Sequence, residues 1–172
     1  LVHTMIGHEK MVTSVAFSHQ RNWLVSGSWD KTVKIWDVSS GTEVRTMEGI
    51  SSYMSFVECV AFHHDGRWIA NGASNTVTIR SSDTGTLKQK LTGHEGEVLS
   101  VAFSPERSEK DLLVSGSVDI MVWDWNTGDC LRNIPGQSGK VISVVFCRDS
   151  SHVVSGGEDS NVKIWDISSD AD

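Results

Sequence analysis

Met11-Val12-Thr13-Ser14-Val15-Ala16-Phe17-Ser18 alternates apolar and small polar side chains, the pattern of a half-buried β-strand. His19-Gln20-Arg21-Asn22 follows as a polar turn, Trp23-Leu24-Val25-Ser26-Gly27-Ser28 as a second strand, and Asp30-Lys31 as a tight turn. Thr32-Val33-Lys34-Ile35-Trp36-Asp37 has period-two alternation and predicts a third strand. Ser39-Ser40-Gly41-Thr42 turns again, and Glu43-Val44-Arg45-Thr46-Met47 predicts a fourth. Four short strands separated by turn residues predict one antiparallel sheet. No stretch carries a helical period.

The same order returns three times. Val57-Glu58-Cys59-Val60-Ala61-Phe62, Val98-Leu99-Ser100-Val101-Ala102-Phe103 and Val141-Ile142-Ser143-Val144-Val145-Phe146 match the first strand. Trp68-Ile69-Ala70-Asn71-Gly72, Leu112-Leu113-Val114-Ser115-Gly116 and His152-Val153-Val154-Ser155-Gly156 match the second. Ile35-Trp36-Asp37, Val122-Trp123-Asp124 and Ile164-Trp165-Asp166 close three segments, and Ile79-Arg80-Ser81 stands where the fourth tripeptide belongs. Trp36 to Arg80 is 44 residues, Arg80 to Trp123 is 43 and Trp123 to Trp165 is 42. A period of roughly 40–45 residues ending in Trp-Asp marks one propeller blade. The expected fold class is all-β: a β-propeller of four-stranded antiparallel blades, four per chain. One domain, 1–172, then holds repeats at about 1–44, 45–87, 88–130 and 131–172.

With Gly-His, Ser-Gly-Ser, a turn Asp and Trp-Asp recurring in order, the chain resembles the WD-repeat family of β-propellers over essentially its whole length. That resemblance implies a buried hydrogen-bonded chain of His, strand Ser, turn Asp and Trp. It falls on His8, Ser26, Asp30 and Trp36 in the first repeat and on His94, Ser115, Asp119 and Trp123 in the third. Such groups each cost about 1–3 kcal/mol if buried unpaired; linked, they satisfy one another and pin the strands in register. The fourth repeat keeps Ser155, Asp159 and Trp165, with Gln137 for His. The second has Ile50 for His, Asn71 for Ser, no Asp in Ser74-Asn75, and Arg80 for Trp. That blade is expected to lack the network and to be the least rigid. The third repeat is two residues shorter between Asp119 and Trp123 than the first between Asp30 and Trp36, and its Glu106-Arg107-Ser108-Glu109-Lys110-Asp111 insertion predicts a solvated loop.

A net charge of −7 argues against a nonspecific nucleic-acid binder, and no apolar run approaches the roughly 18 residues of a membrane span. Three cysteines, Cys59, Cys130 and Cys147, have no metal-binding spacing and make an odd count. Cys59 lies in an apolar strand and reads as a buried free thiol. Reduced thiols and no secretory signal predict a cytoplasmic location, with the nucleus as the alternative. Among seven histidines, His63-His64 is adjacent; neighbouring residues are expected to point apart, and no metal or cofactor site is predicted. Ser26, Ser115 and Ser155 near Asp and His suggest a triad, but a constellation recurring in every blade is structural, so no catalytic residue is expected.

Of seven tryptophans, Trp36, Trp123 and Trp165 belong to the repeat, while Trp23 and Trp68 begin second strands and are expected to pack. Trp29 directly precedes the turn Asp30; its equivalents are Val118 and Glu158. The resemblance implies that this position and the segments after each Gly-His face the narrow top of the propeller. Trp29 is then either an interface anchor or packing against a neighbouring blade. The same face carries Glu9, Lys10 and Met11, then Ser51, Ser52 and Tyr53, then Glu95 and Glu97, then Gln137 and Lys140. The predicted function is a non-catalytic scaffold binding proteins or peptides there. The alternative is a carbohydrate-binding propeller lectin, which needs an aromatic platform in every blade; Trp29 is not repeated.

Val2-His3-Thr4-Met5-Ile6 matches the fourth-strand segments Arg45-Thr46-Met47 and Lys88-Gln89-Lys90-Leu91, while the last repeat runs through its third strand at Trp165. A spare outer strand at one end and a missing one at the other predict head-to-tail closure of two chains into an eight-bladed homodimeric ring. A four-bladed ring and a piece of a longer or engineered polypeptide are the other readings.

Overall fold

The structure is a computed structural model, and it describes residues 1–48, 55–106, 108, 110–135 and 138–168. Among the described residues fifteen strands make four antiparallel sheets, and there is no helix. The first sheet is β1 (Val12–Phe17), β2 (Trp23–Ser28), β3 (Thr32–Asp37) and β4 (Glu43–Glu48), paired in that order. The second is β5 (Val57–Phe62), β6 (Trp68–Ala73), β7 (Thr76–Ser81) and β8 (Leu87–Thr92). The third is β9 (Ser100–Phe103), β10 (Leu112–Gly116), β11 (Ile120–Asp124) and β12 (Asp129–Ile134). The fourth has three strands, β13 (Val141–Phe146), β14 (His152–Gly157) and β15 (Val162–Asp166). The sequence repeats are offset from the sheets, because each boundary drawn in the sequence falls inside β4, β8 or β12. In the third repeat the first strand is shorter than its pattern suggests: Val98 and Leu99 donate their N–H groups to Ser74 and Gly116 carbonyls before β9 begins.

Each sheet lays its first strand against that of the next, β1 on β5, β5 on β9 and β9 on β13, giving blades in a propeller arc. This explains a departure from the alternation seen in the sequence. β3 and β7 are buried on both faces along their middle four residues: β7 lies between two neighbouring blades, while β3, in the end blade, has the second blade on one face and the Gly7–His8 segment against Trp36 on the other. Even Lys34 is enclosed; its ammonium donates to Glu43 and Thr46. Three apolar clusters fill the three joints: one holds Val25, Ile35, Val57 and Ile69, the next Ile79, Leu91, Leu113 and Trp123, the last Val114, Val122, Val141 and Val153. Each fully buried Val or Ile contributes about 1.5–3 kcal/mol.

The joints share one close contact. A Cβ on Gly27 would stand 2.6 Å from Val57, and one on Gly116 2.9 Å from Val141. Glycine at this point of the second strand lets the next blade's first valine sit against the backbone. At the ends of the arc both halves of this contact are unmatched. Gly156, the equivalent in the fourth sheet, has nothing within 4 Å of its added Cβ, and Val12, the first valine of the first sheet, is exposed. Val162 is 79% exposed, against 3% for its equivalent Val33. Within one chain the arc is open.

Candidate functional site

The Gly-His segments and the turns between second and third strands lie at one end of the blades, here called the top. In the first blade the Trp36 indole N–H donates to Ser26 Oγ at 2.8 Å, Ser26 Oγ lies 2.7 Å from His8 Nε2, and His8 Nδ1 lies 2.7 Å from Asp30 Oδ2. Asp30 is an acceptor, so Nδ1–H donates to it; in that tautomer the Nε2 lone pair accepts the Ser26 hydroxyl, whose oxygen also accepts the indole N–H. Burial pushes the Asp30 carboxyl up, but hydrogen bonds from Thr32, His8 and the Glu9 N–H outweigh it and hold it well below the usual carboxylate range. The third blade repeats the arrangement: Trp123 donates to Ser115 at 2.8 Å, Ser115 lies 2.6 Å from His94 Nε2, and His94 Nδ1 bonds Asp119. Its two-residue deletion is absorbed in the turn, where Ser117 N–H donates to Asp119 C=O. Burial pushes the His94 imidazole below its ordinary value, against the opposing pull of Asp119.

The fourth blade has Trp165 donating to Ser155 at 2.7 Å, while Asp159 takes the Lys163 ammonium at 2.7 Å; Gln137 lies outside the described residues. In the second blade Thr78 donates to Asn71 at 2.6 Å, and Arg80 donates to the Glu48 carbonyl at 2.6 Å. The Arg80 Nε has no partner among the described residues, and burial lowers the affinity of that guanidinium for its proton. Ile50, Ser51, Ser52 and Tyr53 lie outside the described residues.

On the top face Trp29 both packs and remains accessible. It stacks on Phe56 with ring centroids 5.1 Å apart, yet stays 37% exposed. Its indole N–H points to Glu58 at 3.4 Å, Lys10 lies 5.8 Å above Phe56, and exposed Met11 accepts the Trp29 backbone N–H. Met11, Trp29 and Phe56 thus form an apolar patch edged by Lys10, Glu9 and Glu58. Across the third and fourth blades the same face is ionic. Lys140 pairs with Glu97 at 3.0 Å, Glu158 accepts the Lys140 N–H at 2.9 Å, and Val118 and Glu95 are exposed. Phe56 was not legible as a candidate until counted back from its strand: Met11, Phe56 and Lys140 each directly precede the first strand of a blade, and Glu97 holds the equivalent position before Val98.

The opposite end holds a cluster that the sequence reading missed. His63 and His64 do not point apart: their rings are 4.0 Å between centroids. They lie in the β5–β6 turn, where tight reversal brings adjacent side chains to one side. With Asp111 they bring one ligand-capable atom each to within 4.8 Å of the others. Trp125, buried after the third blade's Trp-Asp pair, meets His63 edge-on at 5.2 Å, and Phe103 does so at 5.0 Å. Lys88 sits over both Trp68 and Trp125, 4.5 and 4.4 Å from their rings. Cys59 is buried as its strand pattern suggests, with its thiol pushed up to about 12 by burial.

Comparison with known proteins matches the family described as WD domain, G-beta repeat, to residues 1–37, 41–80, 85–124 and 128–166. The chain is 30% identical to nuclear distribution protein nudF 1 of Talaromyces marneffei, over 98% of this chain and 41% of that protein. Autophagy-related protein 16 of Arabidopsis thaliana is 28% identical over 93% of this chain and 31% of its own length. The chain thus spans about two fifths or less of these relatives. The crystal structure of the computationally designed Ika4 protein superposes with a TM-score of 0.80 at 34% identity, covering 95% of this chain and 96% of that one.

Proposed function

The chain belongs to the WD40 family of β-propeller repeats, and from that premise we propose that it is a non-catalytic scaffold that binds a protein or peptide on its top face. The observation that carries this is the Met11–Trp29–Phe56 patch. Two aromatic rings stacked in partial exposure, beside a methionine and edged by charges of both signs, have the composition of an interface anchor with a polar rim. Glu9, Glu95, Glu97, Val118, Lys140 and Glu158 extend the surface around the arc, and Tyr53 belongs to the same reading. Peptides selected from a display library on the purified protein should lose at least tenfold in affinity on Trp29→Ala. Selected binders indifferent to Trp29→Ala and to Lys140→Glu would count against the top face. A glycan array tests the lectin alternative, against which the single occurrence of Trp29 argues. The free thiols fit a reducing compartment, cytoplasmic or nuclear.

The same chain is proposed to act as a head-to-tail homodimer. Gly156 is a seat without a valine and Val12 is a valine without a seat. The inner joints add a second matched contact: Val60 N–H donates to Ser14 Oγ, and Val144 N–H to Ser100 Oγ, both at 3.1 Å. Ser143 of one copy and the Val15 N–H of the other are the equivalent pair. Residues 1–6 run unpaired past the Ser39–Gly41 turn, anchored by a His3–Ser39 hydrogen bond at 2.9 Å; they are suited to extend the three-stranded sheet of a second copy along β15. Val12→Asp should convert dimer to monomer.

A further inference from the structure

We propose that His63, His64 and Asp111 form a binding site for a divalent transition-metal ion, Zn²⁺ by ligand type, that clips the bottom turns of the second and third blades together. Two departures from the repeat meet at this point. Where the other blades place Ser18, Ser104 and Cys147 after the first-strand Phe, the second has His63. Asp111 ends the insertion found only between β9 and β10. Neither feature takes part in the hydrogen-bonded network or the top face.

The donor chemistry is unbalanced without a cation. His63 is buried, with carboxylate oxygens against both ring nitrogens: Asp65 Oδ1 lies 2.8 Å from Nδ1 and Asp111 Oδ1 lies 2.9 Å from Nε2. A neutral imidazole has one N–H and can serve only one of them. With the proton on Nδ1 the Nε2 lone pair faces Asp111 oxygen; with it on Nε2, which then donates to Asp111, Nδ1 accepts the Asp65 backbone N–H at 3.4 Å but still faces the Asp65 carboxylate oxygen at 2.8 Å, acceptor against acceptor. A proton on His63 would settle that pair, but it would leave His64, whose buried Nδ1 has no hydrogen-bond partner among the described residues. A metal ion serves all three groups at once.

The arrangement also has the outer support that ligating histidines require. Asp65 holds the far nitrogen of His63, fixing tautomer and ring orientation as carboxylate–histidine–metal triads do, and Trp125 and Phe103 wall the ring edge-on. Ligand atoms around a tetrahedral ion with bonds of about 2.0–2.1 Å lie about 3.3–3.4 Å apart. The three candidate atoms are within 4.8 Å of one another, a spread that rotation of His64 in its turn can close. A cavity of about 520 Å³ opens beside His64, lined also by Phe103, Glu106 and Phe146. It leaves room for a fourth ligand from solvent. Two imidazoles and one carboxylate suit Zn²⁺ and exclude a preference for Ca²⁺ or Mg²⁺, which take all-oxygen shells.

The test is a Zn²⁺ titration of protein lacking any histidine tag, in competition with a chromophoric chelator, on variants checked for fold by circular dichroism. One Zn²⁺ per chain is expected. His64→Ala and Asp111→Asn, both at partly exposed turn positions, should each weaken binding at least tenfold. Asp65→Asn, which does not touch the ion, should weaken it by about 10–100-fold. His152→Ala, which alters an exposed His–Asp pair elsewhere, should change nothing. Absence of binding at micromolar Zn²⁺, or binding insensitive to His64→Ala and Asp111→Asn, overturns the proposal. Absence of binding, together with an NMR titration showing His63 doubly protonated at neutral pH, would assign the cluster to a proton instead.

Discussion

The second and third blades share a backbone but not a chemistry. Both have a register shift between the third and fourth strands, at Ile79/Arg80 in one and Val122/Trp123 in the other, and both bury their central strands. In the third, Trp123, Ser115, His94 and Asp119 satisfy one another through the sheet. In the second, Asn71 and Thr78 pair locally, and Arg80 reaches only a carbonyl of the preceding blade among the described residues. Blade geometry therefore follows from apolar joints and strand pairing, which the two share. The network adds register and stability where present, and the guanidinium that replaces its indole adds a burial cost.

The comparison breaks most sharply at the indole. Trp123→Ala should cost about 3–5 kcal/mol, from lost burial and the resulting cavity, read as a fall in the urea midpoint. Ser115→Ala comes next, at about 1–3 kcal/mol, because it strands a buried indole N–H and the His94 Nε2 together. Arg80→Met in the second blade should lie within about 1 kcal/mol of the parent, since the lost carbonyl contact is offset by removal of a desolvated charge. A loss as large as that of Trp123→Ala would mean that Arg80 is an anchor rather than a tolerated replacement.

The smallest effect is in pH. His94 has a lowered affinity for its proton when folded, so the unfolded chain takes up the proton first as pH falls through about 6.5. Its contribution is complete above that value and is lost on acidification towards the folded-state value. His94→Gln should flatten the stability profile below about pH 6.5. An unchanged slope would show that another group carries it.

The strand pattern and the Trp-Asp period made the four blades legible in the sequence, because period-two alternation and turn residues are local signals. The three-strand last sheet was legible too, while residues 2–6, expected as a spare outer strand, form no strand in the structure. What escaped depends on places where separate turns meet. Phe56 stacks under Trp29 across a blade joint, and Trp125 closes over His63 from another blade; spacing along one repeat carries no trace of either. Adjacency in a strand or a turn predicts that His63 and His64 point apart; in the β5–β6 turn their rings instead lie 4.0 Å apart. Burial of both faces of β3 came from the second blade on one side and from the Gly7–His8 segment over Trp36 on the other, rather than from the strand's own alternation.

The ring itself is the most direct test of the account. Light scattering coupled to size exclusion should give twice the 18.9 kDa chain mass, falling to one chain mass on Val12→Asp. A well-folded species of single mass, unchanged by Val12→Asp, would contradict closure by a second copy.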